Sequence, residues 1–162
     1  LIEHMSKCGM TWVSVGYEVG SVRRLTTIMN KGLKVIGIND PVEINLKAAE
    51  LLRTMKVNSF GNFMFGNPGM PPETNDEMDQ TVRMIQKIQP HHHGFSTYAG
   101  YPGTPLQDLV ERENLKMGDW YSKSHYPWQY RLKGVDYDHV DKCIAIAAQT
   151  PRQYMKGIHD SR

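Results

Sequence analysis

Apolar positions change period several times along this chain, and each change marks an element. The opening "LIEHMSKCGM" reads as the end of an amphipathic helix. "TWVSVGYE" (11–18) is β-rich, with Trp12, Val13 and Val15, and ends in a glycine turn, which predicts a strand. "SVRRLTTIMNKG" predicts a short helix closed by Asn30, Lys31 and Gly32. Asp40, Pro41 and Glu43 suit the N-cap, first and third positions of another helix. That helix runs to about Met55, with Ile44, Ala48, Leu51, Leu52 and Met55 on one side.

"KVNSFGNFMFG" (56–66) is a second strand with an apolar run at its end. Thr74 and Glu77 form a capping box, and the helix they open carries Met78, Val82, Ile85 and Ile88 on one stripe until Pro90. "HGFSTYA" (93–99) is a third strand, "GYPGTPL" turns into a short helix, and "VDYDHVDKCIAIAAQ" is a last helix. The stretch from Lys116 to Lys133, rich in Trp, Tyr, Ser and Pro, reads as an irregular tail over the core. Strands alternating with helical crossovers give an α/β chain with parallel strands. Three strands neither close a barrel nor make a comfortable doubly wound sheet. No internal repeat or low-complexity tract stands out.

Composition narrows the class. The chain has 162 residues, 40% hydrophobic and 22% charged, as in a globular protein with one core. A net charge of +2 from scattered basic residues gives no ground for nucleic-acid binding. No apolar run approaches the roughly 20 residues that span a bilayer. No signal peptide is legible at the start, so the expected location is the cytoplasm. Cys8 and Cys143 lie far apart without CxxC spacing and read as two thiols rather than a disulfide. The chain begins with Leu1, inside a helical pattern, so it is expected to be part of something longer.

Three strand ends share one design: "VGYEVGS", "FGNPGMPPET" and "YAGYPGTPL". Each brings glycines and polar groups to the C-terminal edge of a parallel sheet, where α/β folds hold ligands. Glycine lets the main chain approach a ligand and present its N–H groups. Three such loops in phase predict one composite small-molecule site.

In order and spacing, "VGYEVGSVRRLTTIMNKG", "FMFGNPGMPPETNDEMDQTV" and "YPGTPL" resemble the later half of the radical S-adenosylmethionine (SAM) barrel. The branch resembled is the B12-type one, often associated with a cobalamin-binding domain, which includes anaerobic cyclases and methyltransferases. Asp119 and Trp120 fit the tail of that branch. The resemblance implies the C-terminal portion of a partial (β/α) TIM-like barrel over residues 1–117, with an irregular and helical extension over 118–162 packed on it. It assigns Glu18 to the SAM ribose or methionine part, a task that suits a carboxylate because it accepts from hydroxyls or an ammonium. Ser21 matches the neighbouring hydroxyl. Phe65, Gly66, Asn67, Pro68 and Gly69 match the turn along the adenine, and Tyr98 the last strand end. Tyr101, Pro102, Gly103 and Thr104 match the substrate-side turn.

The complete enzyme implied is an oxidoreductase-type catalyst in which a [4Fe-4S] cluster reduces SAM to give a 5′-deoxyadenosyl radical, with cobalamin as a further cofactor of the branch. Its substrate would be a small metabolite, modified by methyl transfer or cyclisation. Its electron donor would be of the flavodoxin or ferredoxin kind.

Several departures matter. The CxxxCxxC motif that holds the cluster is absent, so the chain alone is expected to bind no cluster and to be inactive without a missing N-terminal barrel half. Met70, Pro71 and Pro72 displace Glu73, Val19 stands where the family has a second serine, and "IGINDPV" (36–42) lengthens another connection. A non-catalytic, truncated barrel serving as a binding module is the rival reading, and an ordinary nucleotide-binding α/β domain is another.

Of the remaining candidates, His91, His92 and His93 read as a loop rather than a metal site, since neighbours on a strand point to opposite faces and no i, i+4 pair supports them. No metal is assigned to this chain. Trp12, Trp120 and Trp128 read as packing residues. Met64 suits either core filling or contact with adenine, and Lys31 either a cofactor carboxylate or a helix C-terminus. An incomplete barrel leaves an open edge strand, so the isolated chain is expected to be marginally stable or to associate.

Overall fold

The computed structural model describes residues 2–31, 39–117 and 131–151. Gly32, Asp119, Trp120, Trp128 and most of the extension expected over 118–162 lie outside these residues, as does part of "IGINDPV". Strands β1 (Trp12–Glu18), β2 (Asn58–Phe65) and β3 (His92–Thr97) form a parallel sheet in the order β1-β2-β3. Helix α1 (Ile2–Lys7) precedes β1 and buries no residue. The crossover from β1 to β2 carries α2 (Val22–Thr27) and α3 (Pro41–Thr54), and that from β2 to β3 carries α4 (Asn75–Ile88). Helices α5 (Pro105–Arg112) and α6 (Tyr137–Ala148) follow. The chain is therefore α/β, with consecutive parallel strands as in part of a (β/α) barrel. Among the described residues the sheet does not close.

Strand alternation divides the sheet into two unlike faces. On one, Tyr17, Phe63 and Phe65 pack against Met78, Val82 and Ile85 of α4 and Val140, Cys143 and Ala147 of α6. The rings of Tyr17 and Phe63 stack at 5.6 Å. Burying side chains of this size contributes about 1.5–3 kcal/mol each, so this face carries most of the chain's cohesion. The other face presents Trp12, Ser14, Phe60, Asn62, Met64, His92 and Ser96, all exposed or half-buried. Across it Asn62 Nδ2 donates to Ser14 Oγ at 2.9 Å. Among the described residues no helix is long and apolar enough to cross a membrane.

Helix α4 starts as its sequence predicts. The Thr74 side chain accepts from Glu77 N, and the Glu77 side chain accepts from Thr74 N, a complete capping box. Its end is set by Gln89, which adopts a left-handed conformation before Pro90. Helix α3 begins at the expected Asp40 N-cap, but its buried side differs from the predicted stripe. Pro41, Ala49 and Leu52 are buried and Val42 and Leu46 pack on the core, whereas Leu51 is 42% exposed. The inward place of Asn45 explains the rotation, because its Nδ2 donates to the Tyr17 carbonyl at 2.9 Å, at the end of β1.

The histidine run is not a loop. Strand β3 starts at His92, and the three rings have separate partners. Ser59 N donates to His91 Nδ1 at 3.1 Å, His92 stacks on Trp12 at 5.4 Å, and His93 packs on Phe95. Burial, followed by the neighbouring His92, holds the His91 pKa below the ordinary imidazole range. Trp12 thus packs as expected, though on the open face and 45% exposed. The ends of the expected irregular tail also pair: β4 (Lys116–Met117) and β5 (Arg131–Leu132) form an antiparallel ladder. Leu115, Leu132, Tyr98 and Val110 make a second, smaller core beneath it.

Candidate functional site

The three C-terminal strand ends fall along one edge of the sheet, as parallel pairing requires. At the first, the β1–β2 register shifts between Gly16 and Glu18, and Glu18 takes a left-handed φ of 63°. For a residue with a side chain such a conformation costs of order 1–3 kcal/mol and persists only where its surroundings enforce it. Lys31 supplies part of that enforcement: Nζ donates to Glu18 Oε1 at 2.9 Å and to the Gly16 carbonyl at 2.7 Å. A Cβ on Gly16 would lie 2.5 Å from Glu18 Oε1, so a side chain there would push the carboxylate from its place over the strand. The Glu18 side chain keeps 24% of its surface in solvent.

The second strand end is built around a buried arginine. Arg24, fully buried, donates from Nη1 to the Pro68 carbonyl at 2.6 Å, from Nη2 to the Pro71 carbonyl at 2.8 Å and from Nε to Glu77 Oε2 at 3.2 Å. Arg23 adds a two-pronged contact to the same carboxylate, at 2.6 and 2.9 Å. Ser21 Oγ donates to Glu77 Oε1 at 2.9 Å and accepts from Arg24 N at the start of α2. Its one proton is thereby given to Glu77. Burial on its own would raise the Glu77 pKa; hydrogen bonds from Arg23, Thr74 and Ser21 and the charge of Arg24 outweigh it and bring the value down to about 2.

Inside this frame the loop 66–73 closes on itself. Asn67, fully buried, donates from both N and Nδ2 to Glu73 Oε2 at 2.9 Å. Met70, 63% exposed, marks where the inserted residues loop outward, and the chain then returns to bring Glu73 inside at 1% exposure. Burial is the chief cause that raises the Glu73 pKa above the ordinary carboxylate range. The Phe65 ring lies in the helix-side core, so near this strand end it is main chain, not ring, that faces outward. Gly69 has φ 151°, and a Cβ there would collide with Arg24 Nη1.

The third strand end borders a cleft of about 290 Å³, lined among others by Met64, Ser96, Tyr98, Tyr101, Thr104 and Leu106. Tyr98 is buried and Tyr101 is 57% exposed. Thr104 caps α5, accepting from Gln107 N at 3.3 Å and donating to the Tyr101 carbonyl at 2.8 Å. Pro102 and Gly103 are exposed at the tip of that turn. Met64 lies at this cleft on the open face, not in the main core.

Of the residues singled out from sequence, Tyr98, Tyr101 and Thr104 therefore meet at one cleft, and Glu18 stands on the same sheet edge beyond β2. Ser21, Asn67, Pro68 and Gly69 are gathered into the buried frame that holds the second loop. Two features escaped the sequence reading. One is Arg24 as the centre of that frame. The other is a trio on the helix side, Asp79, His139 and Cys143, whose i, i+4 spacing from His139 to Cys143 on the last predicted helix was the available signal.

The arrangement is that of a parallel α/β protein whose three strand-end loops share one edge of the sheet. The chain is 29% identical over 127 residues to the anaerobic magnesium-protoporphyrin IX monomethyl ester cyclase of Cereibacter sphaeroides, a match covering 78% of this chain and 18% of the cyclase. The chain thus spans less than a fifth of the length of that relative. No family model matches it.

Proposed function

We propose that this chain supplies the nucleoside side and substrate side of a radical SAM-type barrel whose first half and cluster lie outside it. The strained Glu18 at the ligand edge of the sheet carries the proposal, because left-handed, partly exposed carboxylates are kept where they have a task. The similarity to a cyclase and the three stretches of sequence that resemble the radical SAM barrel support it.

The donor set suits SAM. Glu18 would accept from the ribose hydroxyls or the methionine ammonium, with Lys31 fixing its orientation. Met64 and Tyr98 would offer apolar wall, and the main chain of 66–69 would lie close to the nucleoside. When bound beside a reduced cluster, SAM supplies radical chemistry. The cluster itself does not fit this chain: it needs neighbouring thiolates, and the two cysteines are an exposed Cys8 near α1 and a buried Cys143 on α6. Of the reactions considered, cyclisation of a small molecule is the one the relative's name favours, over methyl transfer.

Calorimetric titration of the chain with SAM, S-adenosylhomocysteine and ATP tests this. SAM and S-adenosylhomocysteine should bind at least tenfold more tightly than ATP, and Glu18→Gln should weaken SAM by about tenfold, as loss of a charged hydrogen bond does. Equal affinity for ATP would favour an ordinary nucleotide-binding domain. Absence of SAM binding would favour a non-catalytic module.

A further inference from the structure

On the side of the sheet opposite the ligand edge's open face, α4 and α6 pack together, and three side chains of different chemistry meet between them. His139 and Cys143 are one turn apart on α6, and Asp79 faces them from α4. His139 Nε2 lies 2.9 Å from Asp79 Oδ1, and Cys143 Sγ lies 3.6 Å from the same oxygen. One ligand atom from each residue falls within 4.8 Å of the other two. We infer that Asp79, His139 and Cys143 form a binding site for a zinc-class divalent cation that pins α6 to α4.

Bond lengths to zinc of about 2.0–2.3 Å place tetrahedral ligand atoms about 3.3–3.7 Å apart. The sulfur–oxygen separation already meets that spacing, the nitrogen–oxygen pair needs to open by a few tenths of an ångström, and the nitrogen–sulfur pair, within 4.8 Å, closes as the ion is bound. The donor mix of thiol, imidazole and carboxylate selects zinc-like ions over magnesium or calcium, which take oxygen ligands. A bound dication also displaces the thiol proton, so the sulfur becomes a full ligand on binding.

The frame around the trio exists without the ion. Asn75 Nδ2 donates to Asp136 Oδ2 at 3.0 Å, and Asp136 caps α6 by accepting from His139 N at 3.1 Å. These contacts fix the register of the two helices one turn away from the trio. Cys143 forms the buried floor, while the Asp79 side chain is 46% exposed and His139 22%. An ion therefore has a way in from solvent and, with three protein ligands, room for a water in the fourth position. The trio uses none of the residues proposed to hold SAM, so the two sites stand or fall separately.

Cobalt(II) is the probe, because its spectrum reports the ligands. The 162-residue chain, reduced and metal-free, should take up one equivalent. A thiolate-to-cobalt charge-transfer band should appear in the near ultraviolet with intense visible bands of tetrahedral cobalt, and zinc(II) should abolish both. Cys143→Ser should remove the charge-transfer band, and His139→Gln and Asp79→Asn should each weaken binding more than tenfold. Asp79 is half exposed, so its variant keeps the comparison valid if Cys143→Ser fails to fold, as judged by circular dichroism. His4 and Cys8, an exposed pair 3.8 Å apart, provide the control: Cys8→Ser should change nothing. Absence of saturable binding overturns the inference, as does a band that survives Cys143→Ser, disappears with Cys8→Ser, or is unaffected by Asp79→Asn.

Discussion

Two Pro-Gly turns in this chain are close to identical in sequence and opposite in circumstance. Pro68-Gly69 is buried: the Pro68 carbonyl is held by Arg24, and the space where a Cβ would stand on Gly69 is occupied by the Arg24 guanidinium. Pro102-Gly103 stands in solvent, and a Cβ on Gly103 would meet nothing within 4 Å. The dipeptide alone specifies a turn. What the turn is for depends on residues far away, here a helix 44 positions earlier in one case and the turn's own Thr104 in the other. The first is a fixed wall; the second is an open rim beside the cleft.

The strongest way to break that contrast is to remove the charge at the centre of the buried turn. Glu77→Ala leaves Arg24 buried without its carboxylate and should destabilise the chain by about 3–5 kcal/mol in urea unfolding. The same carboxylate sets an acid limit. Its folded pKa of about 2 lies below the ordinary glutamate value of 4.5, so its stabilisation is complete above about pH 4.5 and is lost as pH falls towards 2. Glu77→Gln should flatten the stability profile over that window; an unchanged profile would show that other carboxylates govern the acid limit.

Next in size is the glycine pair. Gly69→Ala meets Arg24 as well as an unfavourable φ and should cost about 3 kcal/mol. Gly103→Ala, at φ 79°, suffers only the backbone term of about 1 kcal/mol. Equal losses would mean that the two turns are alike after all. Smallest is Tyr101→Ala at the open rim, which should shift stability by no more than about 0.5 kcal/mol, as for other exposed positions.

Much of the fold was legible because it rests on local rules. The Thr74–Glu77 capping box, the Asp40-Pro41 helix start and the three strands all follow from short-range patterns. The inward side of α3 was not legible, since it is set by Asn45 reaching the Tyr17 carbonyl across the sheet edge. The pairing of β4 with β5 likewise joins segments with little strand signal of their own. At the site, glycine spacing located the loops but could not tell ligand contact from internal support. Ser21 illustrates this: a hydroxyl beside a glycine turn suits a cofactor equally well, yet here it caps α2 and binds Glu77. Glu73 illustrates the converse. Three extra residues displaced it in sequence, but their outward excursion returns its carboxylate to the Asn67 amide.

The Arg24 clamp has a consequence for the thermodynamics of recognition. Ordering a loop costs roughly 1–2 kcal/mol per residue in backbone entropy. For residues 66–73 that ordering is accomplished during folding, by hydrogen bonds from Arg24 of α2 and by the bond from Asn67 to Glu73 within the loop. A ligand arriving at this wall meets a surface already in place, and little of its interaction energy is consumed in arranging it. The exposed turn at 101–104 is held by its own Thr104 rather than by a buried arginine, so any affinity gained there is reduced by the order it imposes. Selectivity set at the first loop should therefore vary little with temperature, whereas selectivity set at the second should weaken on warming.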